Sequence, residues 1–212
     1  MSAALHIGLV VNPLAGLGGS LGLKGSDGEQ MRDVVKQLPA AQRQRAHERS
    51  LRALRILNDC MQKVRFTCWA GDMGESTLKQ LDFNTQVLGS AGAELTTALD
   101  TRMAAEQLYA AGVDIIVFAG GDGTAHDICD VVGTRCPVVG IPAGVKMHSG
   151  VFAVSPEAAG ELLRRLAQGG LVGVGPQQVC DIDEQAFRQG VVRSHFYGEL
   201  LVPSHGHFLQ HT

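Results

Sequence analysis

The sequence predicts an α/β fold with a doubly wound, mostly parallel sheet, followed by the beginning of a β-rich domain. Short apolar runs alternate with segments of helical periodicity as far as about residue 168, which is typical of parallel strands covered by helices. Glycine accounts for 27 of the 212 residues and aromatic residues for only 5%. This composition favours tight strand-to-helix loops over a β-sandwich.

Each element follows from a local pattern of apolar and punctuating residues. Strands are predicted at Leu5–Val11, Val64–Trp69, Gln86–Leu88, Asp114–Ala119 and Pro137–Ile141. Helices are predicted at Gln30–Leu38, Gln42–Lys63, Thr96–Ala111, Ala125–Val132 and Pro156–Gln168, the last with Ser155 as its N-cap. The helix over 42–63 has an apolar stripe, and we expect its arginines to lie on the solvated face.

The chain divides into two predicted domains. Residues 1–168 form an α/β nucleotide-binding domain, and the Gly-rich segment 169–176 reads as a linker. Residues 177–212 contain two strand-like runs with no long helix between them. We expect them to be the start of a β-rich C-terminal domain that is truncated at Thr212.

Composition excludes several function classes. The net charge is -3 and charged residues make up 18%, so no overall basic field indicates nucleic acid or an anionic membrane as a partner. No apolar stretch reaches the length of a transmembrane helix, and the N-terminus lacks the basic start of a signal peptide. Five cysteines without a CxxC pair predict neither a disulfide framework nor a zinc knuckle, and a reducing cytoplasm is the expected location.

The central glycine loop, GGDG at Gly120–Gly123, follows the most apolar strand and leads into a helix. Glycines allow a backbone to approach a ligand closely, and a helix N-terminus favours phosphate. Asp122 would repel phosphate unless it holds Mg²⁺ or takes a proton from an attacking hydroxyl. Both roles belong to phosphoryl transfer. The alternative is a tight turn with Asp122 as N-cap, and Thr124 could add a hydroxyl contact or a cap.

A second loop, NPLAGLGG, follows the first strand and should emerge at the same edge of the sheet. Its candidate nucleotide-binding residues are Asn12, Gly16, Gly18 and Gly19. The loop is not a Rossmann fingerprint, because Leu21 occupies the place of the third glycine, and it contains no Walker A pattern.

A third polar segment, IPAGVKMHSG, again follows a strand. Lys146 could neutralise phosphate and Ser149 could cap or donate, whereas a buried, satisfied side chain is the default for His148. The C-terminal HGHFLQHT has three histidines without an accompanying acid or cysteine. A mobile tail is therefore favoured there over a metal site.

Together VVNPLAGLGG, LKGSDG, GDMGE, FAGGDGTAHDI and IPAGVKMHSGVFAVSPEAA resemble the ATP-NAD kinase family, within the superfamily of NAD, diacylglycerol and sphingosine kinases. The branch most similar includes acetoin-catabolism-associated proteins. The resemblance implies an active site between an α/β and a β-rich domain, and a homodimer or tetramer. It implies ATP or polyphosphate as phosphoryl donor, Mg²⁺, and the 2′-hydroxyl of NAD as acceptor, with Asp122 as base or metal-side acid. Gly120, Gly121, Gly123 and Thr124 would shape the nucleotide loop, which Asn12 and 16–19 complete.

The sequence departs from the family pattern at three points. His126 stands where the pattern GGDGTAR has arginine. The Asn-Glu pair that holds the nicotinamide side in ordinary NAD kinases is not evident, and by the resemblance the second domain should continue well beyond Thr212. Three hypotheses follow: an NAD kinase-type phosphotransferase, a kinase of another small or lipid alcohol, and a non-catalytic nucleotide-binding module or truncated enzyme. The first is the leading one because it uses all three loops.

Overall fold

A five-stranded parallel sheet forms the centre of the protein, which is described by a computed structural model over residues 3–17, 44–92, 95–145, 147–170, 172–182 and 194–204. The strand order is β3-β2-β1-β4-β5, and every neighbouring pair is parallel. This confirms the predicted doubly wound α/β architecture. The strands are β1 Leu5–Val11, β2 Val64–Trp69, β3 Thr85–Gly89, β4 Ile115–Gly120 and β5 Val138–Pro142.

Helices cover both faces of this sheet. They are α1 Arg45–Leu54, α2 Glu75–Gln80, α3 Ala98–Ala110, α4 Asp122–Val132 and α5 Pro156–Ala167, with 3₁₀ turns at Arg55–Lys63, Gly71–Met73 and Gly133–Arg135. One buried cluster joins the sheet to α1 and α5, and a second joins its other face to α3 and α4. Except for the edge strand β3, the strands are buried almost throughout, which is why they read as continuous apolar runs.

The helix ends follow their capping residues. Ser155 accepts a hydrogen bond from the amide of Ala158 and Pro156 begins α5, as predicted. At α3, Thr97 and Asp100 form a capping box, so the helix begins at Ala98. Helix α4 begins at Asp122 instead of Ala125, because Gly121 already serves as its N-cap.

Two helix predictions differ from the structure. The helix predicted over 42–63 is α-helical only to Leu54 and then becomes 3₁₀, with a non-helical Cys60. Asn58, Asp59 and Cys60 are weak helix formers, which accounts for the change. The short helix α2, which follows β2, was not among the predicted helices, and its start at Gly74 lacks a side-chain cap. The helix predicted at Gln30–Leu38 lies outside the described residues.

A β-hairpin follows the α/β part. Strands β6 Gly173–Ile182 and β7 Ser194–Ser204 are antiparallel, and β6 begins inside the segment predicted as a linker. Val179, Leu200 and Val202 belong to the same buried cluster as α3 and α4. The hairpin therefore packs on one face of the sheet, while the division into two domains stays a prediction. No helix in the described ranges is both long and apolar enough to cross a membrane.

Candidate functional site

The strand order places two of the predicted loops on either side of the switch point between β1 and β4, where doubly wound sheets form a crevice. From β1 the chain builds outward through β2 and β3, and then returns to β4 and β5 on the opposite side. The loops that follow the neighbouring strands β1 and β4 therefore run in opposite directions from the carboxyl edge of the sheet. Doubly wound sheets bind ligands at this point. Asn12 follows β1, its amide donates to the carbonyl of Ala119 at 2.9 Å, and Gly121 follows β4.

Asn12 and Thr124 join the first loop to α4. The Asn12 side-chain amide, through Nδ2, donates to Oγ1 of Thr124 at 3.0 Å, and its Oδ1 accepts from the amide of Leu14. Thr124 is buried and lies in the first turn of α4, so its hydroxyl supports the loop and does not cap the helix. Two residues that are 112 positions apart in sequence are therefore in direct contact.

The predicted glycines allow the three loops to pack backbone against backbone. Gly16 has φ +83°, and a Cβ there would lie 2.6 Å from the carbonyl oxygen of Ala143. A Cβ on Gly121 would lie 3.3 Å from Cα of Gly144, and one on Gly120 would overlap Thr124. Ala143 and Gly144 both donate their amides to the carbonyl of Gly120. The first and third loops thus meet at the GGDG loop.

Gly123 differs from its neighbours in the same loop. It is exposed, and a Cβ there would meet no atom within 4 Å. Gly18, Gly19 and Lys146, which the sequence also assigned to nucleotide binding, lie outside the described residues, as do LKGSDG and the C-terminal histidines. The open space over Gly123 lies at the N-terminal turn of α4, where amides are available to an anion.

Asp122 is held by the third loop. Its Oδ2 accepts a hydrogen bond from the backbone amide of His148 at 2.8 Å, and its Oδ1 accepts from that of Ser149 at 3.2 Å. The carboxylate is half-buried at the first position of α4. The His148 side chain is only half-buried, in contrast to the buried histidine expected. Backbone amides of the third loop therefore hold Asp122 of the GGDG loop in place.

Ser149 ties the same loop to the hairpin. Its side chain is fully buried, and Oγ accepts from the amide of Cys180 at 3.0 Å and donates to the Cys180 carbonyl at 3.4 Å. The amide of Gly150 also donates to the carbonyl of Gln178. Strand β6 is thus hydrogen-bonded to the segment that holds Asp122.

His126 occupies a contact between α4 and the hairpin. Its Nε2 lies 3.0 Å from the carbonyl oxygen of Cys180, which can only accept, so Nε2 is the donor. Its ring stacks on that of Tyr197 with centroids 4.1 Å apart. Tyr197 in turn donates to Asp130 at 2.6 Å, and this hydrogen bond is the main reason why the pKa of Tyr197 is raised to about 12. His126 therefore supports packing where the family pattern has a cation.

Two arginines reach the site without having been predicted there. Arg45 donates through Nη2 to the carbonyl of Gly144 at 3.2 Å, and Arg49 donates through Nη1 to that of Pro142 at 2.6 Å. Both are half-buried, which corrects the expectation that the arginines of this helix are solvated. Their i,i+4 spacing beside the small residues Ala46 and Ser50 is the signal that could have found them.

No group of three or more histidine, cysteine or acidic side chains forms a candidate metal cluster within the described ranges. Asp122 is the described carboxylate at the crevice. Magnesium sites commonly use one or two carboxylates and complete their coordination with substrate phosphates and water. Each Asp122 oxygen accepts one amide here, which leaves a further acceptor direction on each, so the site fits a phosphate-bound cation.

Solved structures that are similar to this chain include two described as diacylglycerol kinases from Bacillus anthracis str. Sterne. One is 17% identical with a TM-score of 0.42 over 87% of this chain, and the other is 16% identical with a TM-score of 0.36 over 86%. At these values the similarity carries no inference about activity. The chain spans about half of the length of the first, 48%, and 44% of the second.

The family comparison covers most of the α/β part of the chain. No curated protein matches this sequence. The sequence family of the ATP-NAD kinase N-terminal domain matches residues 7–171 of this chain. This range extends from β1 through α5 and contains all three loops. The chain therefore belongs to the ATP-NAD kinase family.

Proposed function

We propose that this chain supplies the nucleotide-binding part of a phosphotransferase that moves a phosphoryl group from ATP, or polyphosphate, to the 2′-hydroxyl of NAD and produces NADP. The observation that supports it best is the meeting of the three loops at the switch point of the sheet, where the third loop holds Asp122. Family membership supports the reaction class and the nucleotide.

In this proposal the described residues bind, orient and accept a proton. The open N-terminal turn of α4 faces the donor phosphates, and the contact between Asn12 and Thr124 keeps the first loop beside it. The acceptor oxygen forms the new bond to phosphorus while the bond from phosphorus to the leaving phosphate oxygen breaks. Asp122 takes the proton of the acceptor hydroxyl, and the leaving phosphate carries the electron pair.

Holding the carboxylate is the task of the third loop. Two backbone amides fix Asp122, and the buried hydroxyl of Ser149 fixes that loop to β6. Ser149 thus acts by positioning Asp122. A divalent cation such as Mg²⁺, when bound, would neutralise charge on the phosphates. In the alternative role, Asp122 would hold this cation instead of taking the proton.

The first test is formation of NADP from NAD, ATP and Mg²⁺ by the purified chain and by Asp122→Asn. We expect activity that the substitution lowers by at least about 100-fold, as loss of a general base does. Asp59→Asn is the matched control, because Asp59 lies on the 3₁₀ segment after α1, is exposed, and makes its described side-chain contacts with Arg164 and Cys60. Equal activity of the two variants would contradict the role of Asp122.

A non-catalytic nucleotide-binding module is the second candidate. One observation favours it: His126, at the position of an expected cation, is committed to Cys180 and Tyr197. Calorimetric titration with ATP and NAD separates the two functions. Binding of either nucleotide that Asp122→Asn weakens, without NADP formation, would favour the module. Replacing NAD by other alcohols, including lipids, in the same assay tests the remaining acceptor class.

A further inference from the structure

Arg45 and Arg49 form an unusual pair of positive charges at the carboxyl edge of the sheet. They lie one turn apart on α1, and both are half-buried. Burial, followed by the neighbouring charge of Arg45, lowers the pKa of Arg49. Two like charges that share a partly desolvated place raise the free energy of the protein unless a negative charge compensates them.

The described part of the chain offers carbonyl groups to this pair but no ion-pairing carboxylate. The guanidinium groups bind the carbonyl oxygens of Gly144 and Pro142. The carboxylate whose charge acts on Arg49 is that of Glu157, which is bound to Arg52 at 2.7 Å. In addition, Nε of Arg45 is buried without a hydrogen-bond partner among the residues that the structure describes.

The Arg45 side chain lies against the first loop and is hydrogen-bonded to the third. A Cβ built on Gly16 would lie 3.1 Å from Cδ and 3.4 Å from Nε of Arg45, so the side chain passes directly along the first loop. Its carbonyl partner belongs to Gly144, whose backbone packs against Gly121, the residue before Asp122. Arg45 is also the first residue of α1, where the helix dipole adds positive potential.

We infer that Arg45 and Arg49 form an anion site that receives the phosphate chain of the donor, while their carbonyl contacts hold the first and third loops beside it. The ligand class is a polyphosphate anion, either free or as the phosphate chain of a nucleotide. The inference rests on the proposed function for the identity of the donor, and the anion site itself can be tested without turnover.

The experiment is calorimetric titration of the wild-type chain, Arg45→Met, Arg45→Lys and Arg49→Met with sodium tripolyphosphate, AMP, ADP and ATP. We expect Arg45→Met to lower the affinity for tripolyphosphate and ATP by about tenfold or more, which corresponds to the loss of one charge-assisted hydrogen bond. The affinity for AMP should change least. Arg45→Lys should retain part of the affinity, because it keeps the charge but loses the planar fork. The matched control is Arg55→Met, an exposed arginine directly after α1.

Each result has a defined meaning, provided that thermal unfolding shows the variants to be folded. Absence of tripolyphosphate binding to the wild-type chain, or equal effects of Arg45→Met and Arg55→Met, would overturn the inference. A loss that is the same for AMP and ATP would also overturn it, because a purely structural role does not scale with phosphate number. Binding that depends on Arg45 in a protein that makes no NADP would contradict the proposed function and support the anion site.

Discussion

At the scale of single residues, the candidate site is held together by hydrogen bonds between residues of different loops. Asp122 supplies the charge, but its orientation comes from the amides of His148 and Ser149. Thr124, two residues further along α4, accepts a hydrogen bond from the side-chain amide of Asn12. The loops therefore behave as one unit, in which a change at a backbone contact should affect binding as well as stability.

Gly16 and Gly123 provide a matched test of this view. Gly16→Ala puts a side chain at φ +83° and 2.6 Å from a backbone oxygen, so we expect it to destabilise the protein by about 1–3 kcal/mol. Gly123→Ala enters open space in a helix and should stabilise by about 0.4–1 kcal/mol. Urea unfolding measures both free energies.

The two substitutions should also separate in ligand binding. If the space over Gly123 is where phosphate approaches α4, Gly123→Ala should lower the affinity for ATP measured by calorimetry, although it stabilises the fold. A variant that is more stable and binds ATP as well as the wild type would show that the space has no role in binding. Loss of stability in Gly123→Ala would contradict the open geometry itself.

Asp122 and Asn12 could be singled out from the sequence because strand ends and loop chemistry are local patterns, and their part in binding stays a prediction. Arg45 and Arg49 were not found, because their surroundings are set by Gly144 and Pro142, which lie 99 and 93 residues further along the chain. A helical wheel separates apolar from polar faces, but it does not reveal which polar positions a later loop will cover.

At the scale of elements, strands were easier to predict than helix ends. Four of the five parallel strands are buried on both faces and therefore stand out as apolar runs, whereas the edge strand β3 is partly exposed. The break at Cys60 and the short helix α2 were missed because they depend on weak propensities and on a glycine start. The hairpin was recognised as two strands, but its attachment to α4 through His126 and Tyr197 was not.

The contact between Tyr197 and Asp130 makes a prediction about this attachment. A hydrogen bond to the Asp130 carboxylate favours the neutral phenol and raises its pKa to about 12, above the ordinary value of 10.0. The contribution to stability is complete below pH 10 and is lost as the pH rises towards 12, because the unfolded phenol ionises first. Asp130→Asn should lower the pKa of Tyr197.

Ultraviolet absorbance of the phenolate measures this titration, and Tyr197→Phe is the control because it leaves Tyr109 as the sole tyrosine. We expect the late phenolate transition to disappear in Tyr197→Phe and to move to lower pH in Asp130→Asn. An unchanged transition in Asp130→Asn would mean that this hydrogen bond is not formed in solution.

At the scale of the whole molecule, the sheet and the hairpin share one side of the core. Val179, Leu200 and Val202 are buried in the same cluster as residues of α3 and α4, and Ser149 joins β6 to the third loop. The order β3-β2-β1-β4-β5 could be expected from a doubly wound pattern, but the docking of the hairpin is a matter of tertiary contacts. These contacts connect the geometry of Asp122 to the folding of the second, β-rich segment.

Ser149→Ala should therefore weaken both the hairpin and the site. It removes a fully buried hydroxyl and leaves the amide of Cys180 without its acceptor, which costs about 1–3 kcal/mol. In the wild type we expect the fluorescence of Trp69, the sole tryptophan, and hydrogen exchange of β6 to report the same unfolding transition. In Ser149→Ala the β6 amides should exchange through local opening at a lower urea concentration than the Trp69 transition.

Ser155→Ala, which removes the N-cap of α5, is the control, because it should lower the urea midpoints of both transitions together. If the β6 amides of the wild type already exchange well before Trp69 responds, the hairpin is an independent unit. Its contact with the third loop would then contribute nothing to the position of Asp122.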